Sequence, residues 1–157
     1  MTHGELEKND ALRSYVLAGN ADVTLENENT GGRYTFRVCA PKKTTEAGGR
    51  VVDHTADVRF VKVLTGPDNS NDFTFIGTVF VKDDAYQPGR KSQLAADAPS
   101  SIAWRWFWGR LTSGKSLPEA LHVYHAGRCG RCGRKLTVPE SVRSGFGPEC
   151  LHKVMGG

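Results

Sequence analysis

Apolar residues alternate with polar ones along residues 21–27 (ADVTLEN) and 33–40 (RYTFRVCA), and both stretches are rich in Val, Thr, Tyr and Phe. A period of two marks a strand with one buried face. Asn29, Thr30, Gly31 and Gly32 between them are turn chemistry, so the two stretches are expected to pair as a β-hairpin. Residues 58–64 (VRFVKVL) and 73–81 (FTFIGTVFV) repeat the arrangement around a polar loop at 65–72 (TGPDNSND) that is dense in turn formers. The front half therefore predicts four strands in two hairpins, most simply one antiparallel sheet.

Over residues 99–113 (PSSIAWRWFWGRLTS) the period becomes helical. Ile102, Trp106 and Trp108 with Leu111, or alternatively Ala103, Phe107 and Leu111, supply helix-spaced apolar contacts. Asp97 or Ser100 is placed to cap the start. Trp104, Trp106, Phe107 and Trp108 cannot all face one side, so at least one ring is expected at the surface. This helix is expected to cover one side of the sheet and staple it to the tail. A stacking surface for bases or an anchor for a partner, with Arg105 and Arg110 nearby, is the sharper alternative.

The remaining stretches carry weaker patterns. Residues 4–15 have sparse apolar positions and predict a frayed or partly helical lead-in. Residues 41–49 (PKKTTEAGG) read as a mobile connection, and 82–97 as a long polar one. Residues 117–124 lead as a strand or helical turn into the final segment. The expected class is α+β: a small antiparallel sheet packed by one aromatic-rich helix, with a C-terminal metal-binding module of zinc-ribbon or treble-clef type. The expected organisation is a lead-in at 1–14, a β-rich domain at 15–120 and the metal-binding module at 121–157.

Composition sets outer limits. A chain of 157 residues that is 38% hydrophobic, with seven Phe and three Trp, supports one modest core with a small appended module. No run reaches the roughly eighteen apolar residues that spanning a bilayer requires. The first residues, MTHGELEKND, are polar and acidic, the opposite of a signal peptide. The expectation is a cytoplasmic protein with no membrane partner. In that compartment thiols stay reduced, and a cysteine cluster favours metal over disulfide.

The chemistry concentrates in residues 125–150, HAGRCGRCGRKLTVPESVRSGFGPEC. Cys129 and Cys132 form a C-x2-C pair, Cys150 follows, and His125 stands four positions before the first cysteine. Thiolate and imidazole are the usual zinc ligands, four to a structural site. Gly130 and Gly133 suit the tight turn of such a pair, since glycine accepts positive φ. A lone C-x2-C is also a redox motif, but the residues that follow here are Gly, Arg, Lys and turn formers. For the fourth ligand His125 competes with His152, and His122 is a weaker choice. Residues two apart on a helix point about 200° apart, which counts against Cys150 and His152 sharing an ion if that segment is helical. The expected set is His125, Cys129, Cys132 and Cys150 around a structural Zn2+, with no open position for catalysis. Cys39 lies outside any metal spacing and reads as a small buried hydrophobe.

The run GRCGRCGRKLTVPESVRSGFGPEC resembles the C-terminal cysteine-containing domain of many bacteriophage and bacterial mobile-element proteins. The pattern is carried by Cys132, Gly133, Arg134, Leu136, Thr137, Pro139, Ser141, Gly145, Gly147, Pro148 and Cys150. The likeness is strong over about the last thirty residues and extends weakly upstream. It implies a phage or prophage origin and a zinc-ribbon-like tail, with a histidine before GRCGRC as a usual feature. It implies no reaction, because the family is catalogued as one of unknown function.

The net charge of +4 lies in the same segment. Residues 1–50 carry seven basic and seven acidic side chains, residues 51–120 eight of each, and the tail six basic against two acidic. Arg128, Arg131, Arg134, Lys135 and Arg143 are the candidate phosphate contacts. Their alternative role is solubility, or pairing with the acidic loops of the front half. No nucleotide-binding loop, nucleophile elbow or metalloprotease pair is present. Asp53-His54 has the opening of a metal-dependent nuclease finger but lacks its partner histidine, so no enzyme is expected. Two function classes remain: nucleic-acid binding through the basic knuckle, or a phage accessory protein that binds and modulates a host defence or transcription component, within the cytoplasm of an infected bacterium.

Overall fold

The structure, a computed structural model, describes residues 5–6, 8, 10–67, 71–89, 98–132, 134–136, 144–147, 150 and 153. In chain order the elements are α1 (Asp10–Val16), β1 (Asn20–Asn27), β2 (Arg33–Cys39), β3 (Lys42–Thr44), β4 (Arg50–Val52), β5 (Val58–Leu64), β6 (Phe73–Phe80), β7 (Ala85–Pro88), α2 (Pro99–Thr112) and β8 (Leu121–His125). Six strands form one antiparallel sheet in the order β7-β6-β5-β2-β1-β8, and β3 pairs with β4 as a separate small hairpin.

The two long hairpins lie where the alternation puts them, and the register explains why the pattern is legible. Val23 faces Phe36, Val38 faces Val61, and Arg59 faces Val79, so one face collects Val23, Leu25, Phe36, Val38, Val61, Val63 and Val79, all buried. Their neighbours Asp22, Thr24, Thr35, Arg37, Phe60, Lys62 and Phe75 turn to the other face. The β5–β6 register shifts between Val61 and Lys62, leaving Ile76 as an extra, buried residue.

Three elements extend this picture. Residues 41–49 were expected as a mobile connection; they hold most of the β3–β4 hairpin, closed by Thr45, whose N–H donates to the Gly49 carbonyl at 2.7 Å. β7 forms inside the expected polar connection, and its Pro88 is tolerated because β7 is an edge strand. β8, placed with the metal module by sequence, is the opposite edge strand of the sheet, paired with β1 from Val23 to Asn27. The lead-in covers that edge: Leu6 N–H donates to Val123 O at 2.7 Å, and Glu5 bridges to Tyr124.

Helix α2 buries Ser101, Trp104, Phe107 and Trp108, which share one stripe at spacings of three and four. Trp104 lies 5.2 Å from Phe36 of the sheet, ring centroid to ring centroid, and stacks on Trp108 at 5.8 Å and 9°. The expected stripe through Ile102 and Trp106 points outward instead, with these residues 48% and 40% exposed. The capping expectation is also corrected. Ala98 occupies the N-cap without a side-chain bond, and Pro99 follows it at the first helical turn. Proline there removes one of the N–H groups a cap would serve. Asp97 lies outside the described residues. Helix α1 contributes Leu12, Tyr15 and Val16 to the core, at spacings of three and four. Asp84, in the left-handed region at φ 60°, ties the helices together. Its carboxylate takes Arg13 Nε at 3.0 Å, and its carbonyl takes Trp108 Nε1 at 2.8 Å.

Candidate metal centre

β8 ends at His125, and the chain reverses through Gly127 at φ +81°. It then folds as a tight knuckle. Leu136 N–H donates to Gly127 O and Cys129 N–H to Arg134 O, each at 2.8 Å, and Arg128 bridges to Lys135. The ligand atoms of Cys129, Cys132 and Cys150 all lie within 4.8 Å of one another. All three cysteines are free; Cys129 and Cys150 are buried and Cys132 is exposed.

This donor set fits a zinc ion. Zinc–thiolate bonds of about 2.3 Å in a tetrahedron place sulfurs about 3.8 Å apart, inside the observed limit. The electrostatics agree. Burial alone would push the Cys129 thiol up, but backbone N–H groups of Cys132, Gly147 and Arg131 donate to its sulfur, and the net shift is down. The Arg131 N–H stands 3.4 Å from that sulfur. Cys150 is pushed up to about 11, first by burial and then by its contacts with Cys132 and Cys129. Thiolates packed this closely need a cation to offset their mutual repulsion.

The knuckle is seated on the domain by residues from the chain's beginning. Asn20 N–H donates to Gly130 O at 2.7 Å, and Asn20 Nδ2 donates to Arg131 O at 2.6 Å. The ring of Tyr15 lies between Gly130 and Gly145, where a Cβ on either glycine would come within 2.5 Å and 2.6 Å of ring carbons. Phe146 packs on the same ring at 5.5 Å. Gly130 is therefore required for space; positive φ belongs instead to Gly127 and Gly145. Gly133 lies outside the described residues. Nothing near Tyr15 or Asn20 in the sequence marks these roles, because each meets its partners more than a hundred residues away.

His125 is not brought into the sulfur group. It is 1% exposed, its ring lies 6.1 Å from that of Tyr15, and its Nδ1 accepts the Gly127 N–H at 2.9 Å. Nδ1, accepting this bond, has no free lone pair for a metal, and the neutral ring then carries its proton on Nε2. His152, the competing ligand, lies outside the described residues. So does Arg143. His122 is engaged elsewhere, with Nδ1 and Nε2 each 2.9 Å from a carboxylate oxygen, of Glu5 and Glu28 respectively.

Of the basic candidates, Arg128, Arg134 and Lys135 are exposed and Arg131 is half-buried. Arg128 also lines a cavity of about 210 Å³ with Tyr15, Asn20, Asp22, Arg37, Cys39 and Ala126, at the seam between knuckle and sheet. Cys39 is half-buried in that wall, with its thiol directed at Phe60 O at 3.9 Å. Asp53 and His54 serve the fold. Asp53 accepts from Thr55 N–H at 3.1 Å and Thr55 Oγ1 at 2.6 Å, and His54 Nδ1 donates to Ala18 O at 2.9 Å.

Residues 119–154 match the model of a family described as a family of unknown function (DUF6011). No curated protein and no solved structure matches the chain. The family likeness thus spans β8 and the cysteine segment, and through it this part of the chain is similar to a domain whose role is unassigned.

Proposed function

We propose that the chain is a small accessory protein of phage or mobile-element type. Its cysteine segment is clamped by a structural zinc ion, and it binds nucleic acid through the basic knuckle built on that clamp. The observation that carries this is the convergence of Cys129, Cys132 and Cys150 within 4.8 Å beside exposed Arg128, Arg134 and Lys135. Zinc bound there supplies a fixed turn, and the protein's own contribution is to hold cationic side chains outward from it. Fluorescence anisotropy with labelled DNA and RNA tests the binding. Affinity should fall steeply as salt rises, and Arg131→Glu with Arg134→Glu should abolish most of it. Salt-insensitive binding, or binding unchanged by both reversals, contradicts the proposal.

A second reading, a protein-binding modulator of a host component, is favoured by one feature. Ile102 and Trp106 are exposed on α2, and Trp106 borders a largely apolar cleft of about 200 Å³ lined by Leu25, Tyr34, Ala103 and Leu121. A stoichiometric partner that survives nuclease treatment and is lost on Trp106→Ala supports this reading over the first.

A further inference from the structure

Both helices contact the sheet on the face of Phe36 and Arg59. Trp104 of α2 packs on Phe36, and Arg59 donates to Leu17 O at 2.9 Å just after α1. The opposite face is built differently. The strand register puts Phe60 on β5 and Phe73, Phe75 and Phe80 on β6 there, all half-buried. Lys62 pairs with Phe75, and Phe60 meets Phe75 edge to face at 6.3 Å. On β2 the Arg37 guanidinium lies over the Phe73 ring at 4.1 Å and is fixed by two bonds to Asp22, at 2.8 Å and 3.1 Å. Arg37 and Asp22 then line the cavity that Arg128 of the knuckle completes. One surface thus runs from the cationic knuckle through a polar cleft onto a field of aromatic rings.

We infer that this face is a platform for single-stranded nucleic acid, RNA or DNA. The inference rests on the knuckle reading above and extends it to the sheet. Rings and a flat guanidinium offer stacking planes that any base can use, and paired bases inside a duplex cannot reach them. Charge selects this occupant over an apolar protein surface. Arg37 is offset by Asp22 and Arg33 by Glu26, which leaves Lys62 amid the rings without an acidic partner among the described residues. An apolar partner would bury that ammonium uncompensated, whereas a phosphate backbone neutralises it. The knuckle cations at one end of the surface hold the strand and fix its entry.

The test is fluorescence anisotropy on the full zinc-loaded chain with a mixed-sequence oligonucleotide of about 20 nucleotides, as single-stranded RNA, single-stranded DNA and DNA duplex. The single strands should bind more tightly than the duplex. Phe60→Leu and Phe75→Leu keep an apolar side chain but remove the ring, and each should weaken single-strand binding by at least about fivefold. Unchanged far-UV circular dichroism and melting confirm that these variants fold; a variant that unfolds is replaced by Lys62→Ala. That change should lower the steepness of the salt dependence by about one contact and leave the sheet intact. Equal or better binding of the duplex, or single-strand affinity unmoved in the folded variants, overturns the inference. If the knuckle reversals weaken binding while the ring variants do not, the sheet platform fails and the knuckle reading stands. If no oligonucleotide binds, both fail.

Discussion

The Tyr15 ring occupies the space a methyl group on Gly130 would need, its Cε1 lying 2.5 Å from where that Cβ would be placed. This contact joins the first helix to the cysteine knuckle across more than a hundred residues of chain. Gly145 meets the same ring from another side, at 2.6 Å and with φ +79°. Gly130→Ala and Gly145→Ala should therefore each cost about 1–3 kcal/mol in chemical unfolding, through overpacking and, at Gly145, backbone strain. Tyr15→Ala should cost about 3–5 kcal/mol. Tyr15→Phe loses only a 3.3 Å bond to Asp22 O and should change stability by no more than about 1 kcal/mol. Neutral glycine variants would show that the knuckle does not rest on Tyr15.

Trp104 is the centre of the aromatic layer under the sheet: fully buried, stacked on Trp108, and 5.6 Å from Phe107. Trp104→Ala is expected to cost about 3–5 kcal/mol. Trp106, on the same helix but 40% exposed, should tolerate Ala within about 1 kcal/mol. Equilibrium urea unfolding of the two variants checks the contrast, and similar losses at both sites would contradict the assignment of the buried stripe.

His122 clamps the lead-in to the sheet edge. Both ring nitrogens face carboxylates, of Glu5 and Glu28, and the two bonds require both nitrogens to donate, which is the imidazolium form. The bond to Glu5 first, and then that to Glu28, raises the His122 pKa above its ordinary value. A group whose folded pKa is raised contributes its stabilisation fully below the unfolded value, about 6.5, and loses it as pH rises through the folded one. The melting-temperature advantage of the native chain over His122→Gln should therefore be greatest below about pH 6.5 and shrink at higher pH. Exchange of the Leu6 amide, bonded to Val123 O, should quicken over the same range. A pH-independent difference contradicts the clamp.

Substitution should separate His125 from the cysteines. The His125 ring is tied to the Gly127 N–H and packed beside Tyr15, so His125→Gln should lower the melting temperature while one metal ion stays bound. His152→Gln, measured beside it, decides whether that residue supplies the fourth donor. Loss of metal from His125→Gln would mean that its ring gives up Gly127 and turns to the ion.

The legible part of this fold is the part governed by local period. The alternations of Val23–Leu25, Phe36–Val38 and Val61–Val63 locate three of the central strands, because each buries one face. The helix was legible as a helix, but its buried stripe was not. Four large rings within five residues fit several stripes, and Phe36 and Asp84, distant in sequence, select the one through Trp104 and Trp108. β7 was not legible and β8 only as a strand or helical turn, because short edge strands owe their form to a neighbour's free hydrogen-bonding groups more than to their own pattern. At the candidate site the three cysteines were legible from spacing. Tyr15 and Asn20 were not, since no local signal marks a ring or an amide that acts on a loop more than a hundred residues away.

The most direct test of the account is metal analysis of the purified full chain by mass spectrometry, together with Cys129→Ser, Cys132→Ser and Cys150→Ser. The account predicts one zinc ion per chain, lost or sharply weakened in each serine variant, with the amide signals of residues 127–136 collapsing on chelation while those of the central strands persist. A metal-free native protein whose knuckle signals are dispersed and indifferent to chelator would contradict it.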